Sequence, residues 1–353
     1  MGFASRALET VAQPVMALAI GLAVAALLMA IYGYDPVAAY RALFIGAYGT
    51  PEDLMESIAF AVPIMLTGIT FAIGLKAGLF NIGAEGQLYM GAIGAVIAGA
   101  FLSLPWPLHV IVATLVGMLF GLLWSVVPAL LKVFRGVHEV ISTIMFNWIA
   151  FYLATYLVLY RLAEPGRAEK TYSVLETARY GILFEGTSLT SVVFVALAFV
   201  VGIHIFLGQT KAGFELRTYG LNPDAAKFAG ISEKKVIVLS FLIGGLAAGL
   251  AGASQVLGRP PTWALYGTLG NVVKLGFDGI GVALIGRNHP IGIIFASLFV
   301  GGLLHGGRYM EIYAGVYSEL VDAVTGLIII ALAVPEVFEV IKRYRLKRKA
   351  LGG

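Results

Sequence analysis

Of 353 residues, 59% are hydrophobic, only 12% are charged and 44 are glycine, whereas about a quarter of a soluble domain is charged. So little charge cannot clothe a water-soluble globule of this length, which excludes a soluble enzyme. The absence of cysteine removes disulfide frameworks, cysteine-ligated zinc, iron–sulfur clusters and thiol nucleophiles, and the net charge of +4 matters less than its placement.

A bilayer core about 30 Å thick takes about 20 apolar residues of helix. Runs of that size predict an all-α polytopic membrane protein, a single transmembrane domain over residues 1–353 with about ten spans. The first span, 11–34, lies in the uncharged run Thr10 to Tyr34. Its Ala17-Leu18-Ala19 matches a small-x-small cleavage pattern but sits inside the apolar run, so the span reads as an uncleaved anchor. Spans two to five occupy 54–160: Ser57 to Leu75, two spans within Gly86 to Leu131 joined by Pro105-Trp106-Pro107, and Val140 to Tyr160. A charged extracytoplasmic loop (161–187), a sixth span (188–207) and a cytoplasmic loop (208–235) follow. Spans seven to ten fill 236–334: Val236 to Leu257, a short charge-bearing one near Asn271 to Gly286, Pro290 to Leu304, and Leu320 to Val334. A basic tail, 335–353, comes last.

Ten spans put both termini on one side. With that side cytoplasmic, 16 of the 24 Lys and Arg residues fall in cytoplasmic segments, the asymmetry expected of membrane proteins. The cluster Lys342 to Lys349 reads as a topology anchor on anionic headgroups, with membrane lipid as its partner. No nucleic-acid partner is expected.

Polar side chains within spans are costly unless paired, which makes each one a candidate for function. Phe80-Asn81-Ile82-Gly83-Ala84-Glu85-Gly86-Gln87 places three polar side chains and two glycines between spans, and Gly78 precedes them. Broken or re-entrant backbone of this kind is tolerated only against protein or a water-filled cavity. Glu139, Thr143 and Asn147 are spaced by four and share one helix face, with Asn147 about 12 Å in from Glu139. Its amide either meets a solute or ties two helices together. Gly276-Phe277-Asp278-Gly279 repeats the aromatic-polar-glycine pattern in the second half, compatible with an inverted repeat. Both segments are expected to line the translocation route, with Asn81, Gln87 and Asn147 offering hydrogen bonds and Phe80 and Phe277 an apolar wall. Glu85 and Asp278 either join that route or pair with Lys76 and Lys274 to hold the fold. The seams Gly117-x-x-x-Gly121 and Gly245-x-x-x-Gly249 read as close helix packing.

The cytoplasmic loop has its own punctuation. Asn222 suits an N-cap, Pro223 the first helical position, Asp224 the positive end of the dipole, and Gly230 a left-handed C′ position. A helix from Pro223 to Ala229, with Ala225 and Ala226 as a small face, would form a knob able to enter a groove on another protein. On these residues alone it equally reads as a connection between spans.

This stretch, with Gly244-Gly245-Leu246-Ala247-Ala248-Gly249-Leu250-Ala251-Gly252, resembles the coupling-loop region of permease subunits of ABC importers in the branched-chain amino acid, ribose and nucleoside group. Gly78-Leu79-Phe80-Asn81-Ile82-Gly83-Ala84-Glu85-Gly86-Gln87 is similar to that group's FN-x-G-x-EGQ segment. His138-Glu139-Val140-Ile141-Ser142-Thr143-Ile144-Met145-Phe146-Asn147 resembles the EVI-x-TIM-x-N signature of its nucleoside and simple-sugar members. Gly276-Phe277-Asp278-Gly279-Ile280-Gly281-Val282-Ala283-Leu284-Ile285-Gly286 resembles GFDGIAVALLG. The resemblance covers about Leu54 to Val334.

It implies a multi-pass subunit of a prokaryotic cytoplasmic (inner) membrane. Such a subunit pairs with a second permease, a paralogue rather than an identical chain in many nucleoside-type members. It sits on cytoplasmic ABC ATPase subunits and receives its solute from an extracytoplasmic binding lipoprotein or periplasmic protein. Asn222, Pro223, Asp224, Ala225, Ala226 and Gly230 would then dock the ATPase. The chain carries no G-x-x-x-x-G-K-[ST], so ATP and Mg would be bound by that partner and no cofactor by this chain. Nucleosides are the first expectation for the solute and simple sugars the second. An ion-coupled secondary transporter using Glu85 and Asp278 is the rival class. An intramembrane enzyme is disfavoured, because His138-Glu139 lacks the second histidine of H-E-x-x-H and no G-x-S-x-G elbow occurs.

Overall fold

The computed structural model describes residues 3–333, with side chains from Val15 onward except at Ala168. The end of the tenth expected span at Val334 and the basic tail Lys342 to Lys349 lie outside the described residues. The described chain is predominantly helical, and six of its helices are long and apolar enough to cross a membrane. It divides into two compact units, one formed by residues up to Ser57 and from Phe299 on, the other by Ile58–Leu298.

The first unit contains α1 (Phe3–Ile31), α2 (Pro36–Tyr48), the start of α3 (Pro51–Lys76), the end of α12 (Pro290–Ala314) and α13 (318–333). Hydropathy alone passes over α2, which is only 13 residues long; its start is set by Asp35, whose carboxylate accepts the Val37 N–H at 2.9 Å, and by Pro36. Glycines let α2 and α12 touch. A Cβ on Gly306 would lie 2.1 Å from the Leu43 carbonyl oxygen, and one on Gly46 would strike the Tyr309 ring. At the α2–α3 turn, Asp53 accepts hydrogen bonds from Thr50 Oγ1 and Tyr309 OH, both at 2.6 Å, with His305 Nε2 3.6 Å away.

The second unit holds the remainder of α3 and the start of α12 together with α4 (Ala84–Phe101), α5 (Leu108–Arg135), α6 (Glu139–Tyr160), α7 (Val192–Gln209), α8 (Lys211–Leu221), α9 (Pro223–Phe228), α10 (Glu233–Leu257) and α11 (Leu275–Ile285). Its core is a three-helix seam of α4, α5 and α10. A Cβ on Gly91 would be 2.5 Å from Gly249 Cα, one on Gly121 2.5 Å from the Gly245 carbonyl oxygen, and one on Gly252 2.1 Å from the Leu88 carbonyl oxygen. The two G-x-x-x-G seams thus place backbone on backbone, as expected from small residues at helix interfaces.

Two features depart from a purely helical reading. Within the loop after α6, β1 (Ala163–Glu164) pairs antiparallel with β2 (Arg167–Thr171), fastened by Lys170 Nζ to Glu164 at 2.8 Å. The Lys170 ammonium holds the Glu164 carboxyl below its usual range. This loop joins the segment after α10: the N–H groups of Thr171 and Val174 donate to Leu265 and Trp263 carbonyls, both at 2.9 Å. That segment is irregular, with Trp263, Leu269 and Lys274 all at positive φ. The expected eighth span, Asn271 to Gly286, therefore contains only the 11 residues of α11 as helix, about 16 Å at 1.5 Å per residue. By itself α11 is too short to cross a bilayer core.

Candidate functional site

The break between α3 and α4 is where the candidate residues gather. Gly78, at φ +73°, turns the chain after Lys76, and the Leu79 N–H returns to the Gly74 carbonyl at 2.9 Å. Residues from there to Gly83 make no helix, so their backbone groups need other partners. The expected polar face of α6 supplies them. Glu139 accepts the Phe80 N–H at 3.3 Å while pairing with Lys132 Nζ at 2.8 Å. Asn147 is bidentate: its Oδ1 accepts the Gly86 N–H and its Nδ2 donates to the Ile82 carbonyl, both at 2.9 Å. Thr143 lies between them, its hydroxyl bonded back to the Glu139 carbonyl at 2.7 Å. Asn147 thus ties helix to break, one of the two fates its sequence position allows.

The other two amides differ. Asn81 Oδ1 accepts the Gly83 N–H at 2.9 Å, but among the described residues the buried Asn81 Nδ2 donates no hydrogen bond and the buried Gln87 Oε1 accepts none. A Cβ on Gly83 would sit 3.0 Å from Asn81 Oδ1 and 2.9 Å from Gln87 Nε2, so the two amides flank that glycine. The unbonded ends point elsewhere: a Cβ on Gly244 would lie 3.3 Å from Asn81 Nδ2, which places that donor against α10.

Glu85, 2% exposed in the first turn of α4, does something sequence spacing does not reveal. Its Oε1 accepts the Lys274 N–H and its Oε2 the Gly276 N–H, both at 2.6 Å, and Tyr89 OH, one turn on, donates to Oε1 at 2.5 Å. The carboxylate thereby satisfies the exposed amides at the positive end of α11. Glu85 does meet Lys274, through its backbone. Close approach needs Gly276, where a Cβ would lie 2.4 Å from Glu85 N. Thr67 Oγ1 donates to the Leu275 carbonyl at 2.8 Å and anchors the same turn to α3. Phe80 and Phe277 remain partly exposed, Phe80 edge-on to Phe71 at 5.0 Å, and Asp278 is half-buried on the first turn of α11. Tyr89 and Gly276 are the partners missed from sequence; the i, i+4 spacing of Glu85 and Tyr89 is the signal that could have found one of them.

The loop between α7 and α10 folds largely as its punctuation indicates. Asn222 Oδ1 accepts the N–H groups of Asp224 and Ala225, both at 3.1 Å, Pro223 occupies the first turn, and Gly230 has φ +79°. The two alanines do not share a face: Ala225 is exposed and Ala226 buried, because adjacent helical residues point about 100° apart. The apolar knob is instead Phe228, 95% exposed, with Leu221 at 69%. Lys227 Nζ pairs with Glu233 at 2.9 Å, which raises the Lys227 ammonium above the usual lysine range. Burial, then the Glu233 carboxylate, pushes the Tyr219 hydroxyl up to about 12. A second pair, Lys235 to Glu215 at 3.1 Å, fixes α8 to the start of α10.

A family model described as "Branched-chain amino acid transport system / permease component" matches residues 54–333. The guanosine ABC transporter permease protein NupP of Bacillus subtilis is 38% identical over 91% of this chain and 92% of its own. The nucleoside ABC transporter permease protein NupB of Lactococcus lactis is 33% identical over 93% and 92%. The glucose ABC transporter permease protein TsgB13 of Haloferax volcanii is 32% identical over 94% and 89%.

Proposed function

The chain belongs to the family of permease components of branched-chain amino acid transport systems, membrane subunits of ABC importers, and we propose that its solute is a nucleoside. The observation that carries this reading is the pair of relatives named for guanosine and nucleoside transport, each similar over nine-tenths of both chains. The chain would form part of a translocation route in a prokaryotic cytoplasmic membrane. It would receive the nucleoside from an extracytoplasmic binding protein and be driven by ATP hydrolysis on separate cytoplasmic subunits. Ten spans with both termini cytoplasmic, and a paralogous second permease, belong to the same proposal. The Lys and Arg asymmetry and the six crossing-length helices support the topology.

Asn81 and Gln87 would offer the passing solute a donor and an acceptor, with Phe80 and Phe277 as apolar wall and Asp278 beside them. Asn147 and Glu85 would shape that wall from behind. The exposed helix α9, with Asn222, Pro223, Asp224, Ala225 and Gly230 at its ends and surface and Ala226 beneath, would dock the ATPase.

A sugar is the second reading, favoured by the similarity to a glucose permease. Uptake of labelled guanosine against labelled ribose and glucose by vesicles carrying the complete transporter separates the two. Guanosine uptake supports the first reading, and sugar uptake alone replaces it with the second.

A further inference from the structure

We infer that Gly78 and Gly220 form the joint through which the cytoplasmic loop moves the polar break between α3 and α4, and that Glu85 is the positioning residue that passes this movement to α11. The inference rests on the reading that α9 docks the ATPase.

Gly220 is the penultimate residue of α8, two before the N-cap of α9. A Cβ there would lie 2.1 Å from the Lys76 carbonyl oxygen and 2.8 Å from Gly78 N, and a Cβ on Gly78 would be 3.2 Å from Gly220 Cα. Main chain therefore rests on main chain with no side chain between, so no rotamer change can absorb a displacement. The loop behind this contact is stiffened by the Asn222 cap, buried Leu216, Tyr219 and Ala226, and the Lys227–Glu233 and Lys235–Glu215 pairs. It can push as one piece.

Ahead of the contact the path is short. Gly78 is two residues from Phe80, whose N–H is held by Glu139, and the break then runs to Glu85. There the two hydrogen bonds to Lys274 and Gly276 grip α11, the short helix after the irregular segment. A shift at the knob thus reaches two non-helical stretches far apart in sequence through contacts that lack slack.

The test is hydrogen–deuterium exchange on the assembled transporter, full chain with partner permease, compared with and without its ATPase subunits. In the unaltered protein, adding the ATPase changes exchange in the α9 peptide, in peptide 78–90 and in peptide 272–285. In Gly220→Ala the α9 change persists while the other two fall at least threefold. In Glu85→Gln the change reaches 78–90 and stops short of 272–285. ATP hydrolysed per solute imported rises at least fivefold in both variants, a readout that simple destabilisation does not move. Unchanged responses at 272–285 in either variant overturn the inference. Should Gly220→Ala fail to retain the ATPase, Glu85→Gln decides it alone. Loss of the α9 response in the unaltered protein condemns the docking reading itself, a separate outcome.

Discussion

The carboxylate of Glu85 accepts the backbone N–H of Gly276 at 2.6 Å, across 191 residues of chain. A buried carboxylate this well supplied with donors is a structural acceptor at the start of α11. Glu85→Ala leaves the Lys274 and Gly276 amides without an acceptor, at about 1–3 kcal/mol each. Glu85→Gln keeps one acceptor oxygen for the two amides and turns its NH2 toward the other N–H, and falls between. Thermal unfolding of the purified protein in detergent should rank unaltered above Gln above Ala; equal stability of Ala and unaltered protein would contradict the cap.

The three amides near the break should separate by assay. Asn147→Ala orphans the Gly86 N–H and the Ile82 carbonyl, so membrane abundance and thermal stability fall with transport. Gln87→Met removes an acceptor that takes no bond from the described residues, at nearly constant shape. Abundance should hold while uptake falls about tenfold, the equivalent of about 1.4 kcal/mol. Full uptake by Gln87→Met at normal abundance removes Gln87 from the route.

Glycine substitutions should split by location. In Gly121→Ala the new methyl would sit 2.5 Å from both the Gly245 carbonyl oxygen and Gly249 Cα, so α5 and α10 must part. Overpacking of this kind costs about 1–3 kcal/mol or more. Gly202→Ala on α7 meets nothing within 4 Å and should stay within about 0.5 kcal/mol. Detergent-solubilised unfolding of the two variants side by side checks the contrast.

Docking of α9 predicts that Ala225→Arg and Phe228→Asp lose the ATPase on co-purification while the chain itself accumulates normally, because both side chains are exposed. Gly230→Glu should also lose it, with added backbone strain at φ +79°. Retention of the ATPase by Ala225→Arg would show that the knob serves another purpose.

Much of this was legible from residue patterns. Uncharged runs located most long helices, Asn222-Pro223 with Gly230 located α9, and the i, i+4 series Glu139, Thr143, Asn147 located the face that supports the break. What sequence could not supply were partners distant in the chain. Nothing near Glu85 indicates that its charge is met by two amides after residue 273, and nothing near Gly220 shows that it lies on Gly78. Helix α2 escaped because 13 residues are too few for a span and its apolar stripe is interrupted by Arg41. The half-length of α11 escaped because the residues before it are apolar enough to read as membrane, yet Leu269 and Lys274 adopt left-handed backbone that ends any helix. The ion-coupled alternative draws on Glu85 and Asp278 as coupling carboxylates, and family membership places the chain with ABC permeases instead.

The central claim is ATP-driven nucleoside import through this chain. Its most direct test is uptake of labelled guanosine by proteoliposomes holding this permease, its partner permease and the ATPase, with binding protein outside. The account predicts uptake that needs enclosed ATP, survives collapse of the proton gradient, and is competed by unlabelled nucleosides but not by excess ribose or glucose. Guanosine uptake that disappears with the proton gradient while ATP is present, or transport of sugars alone, would contradict it.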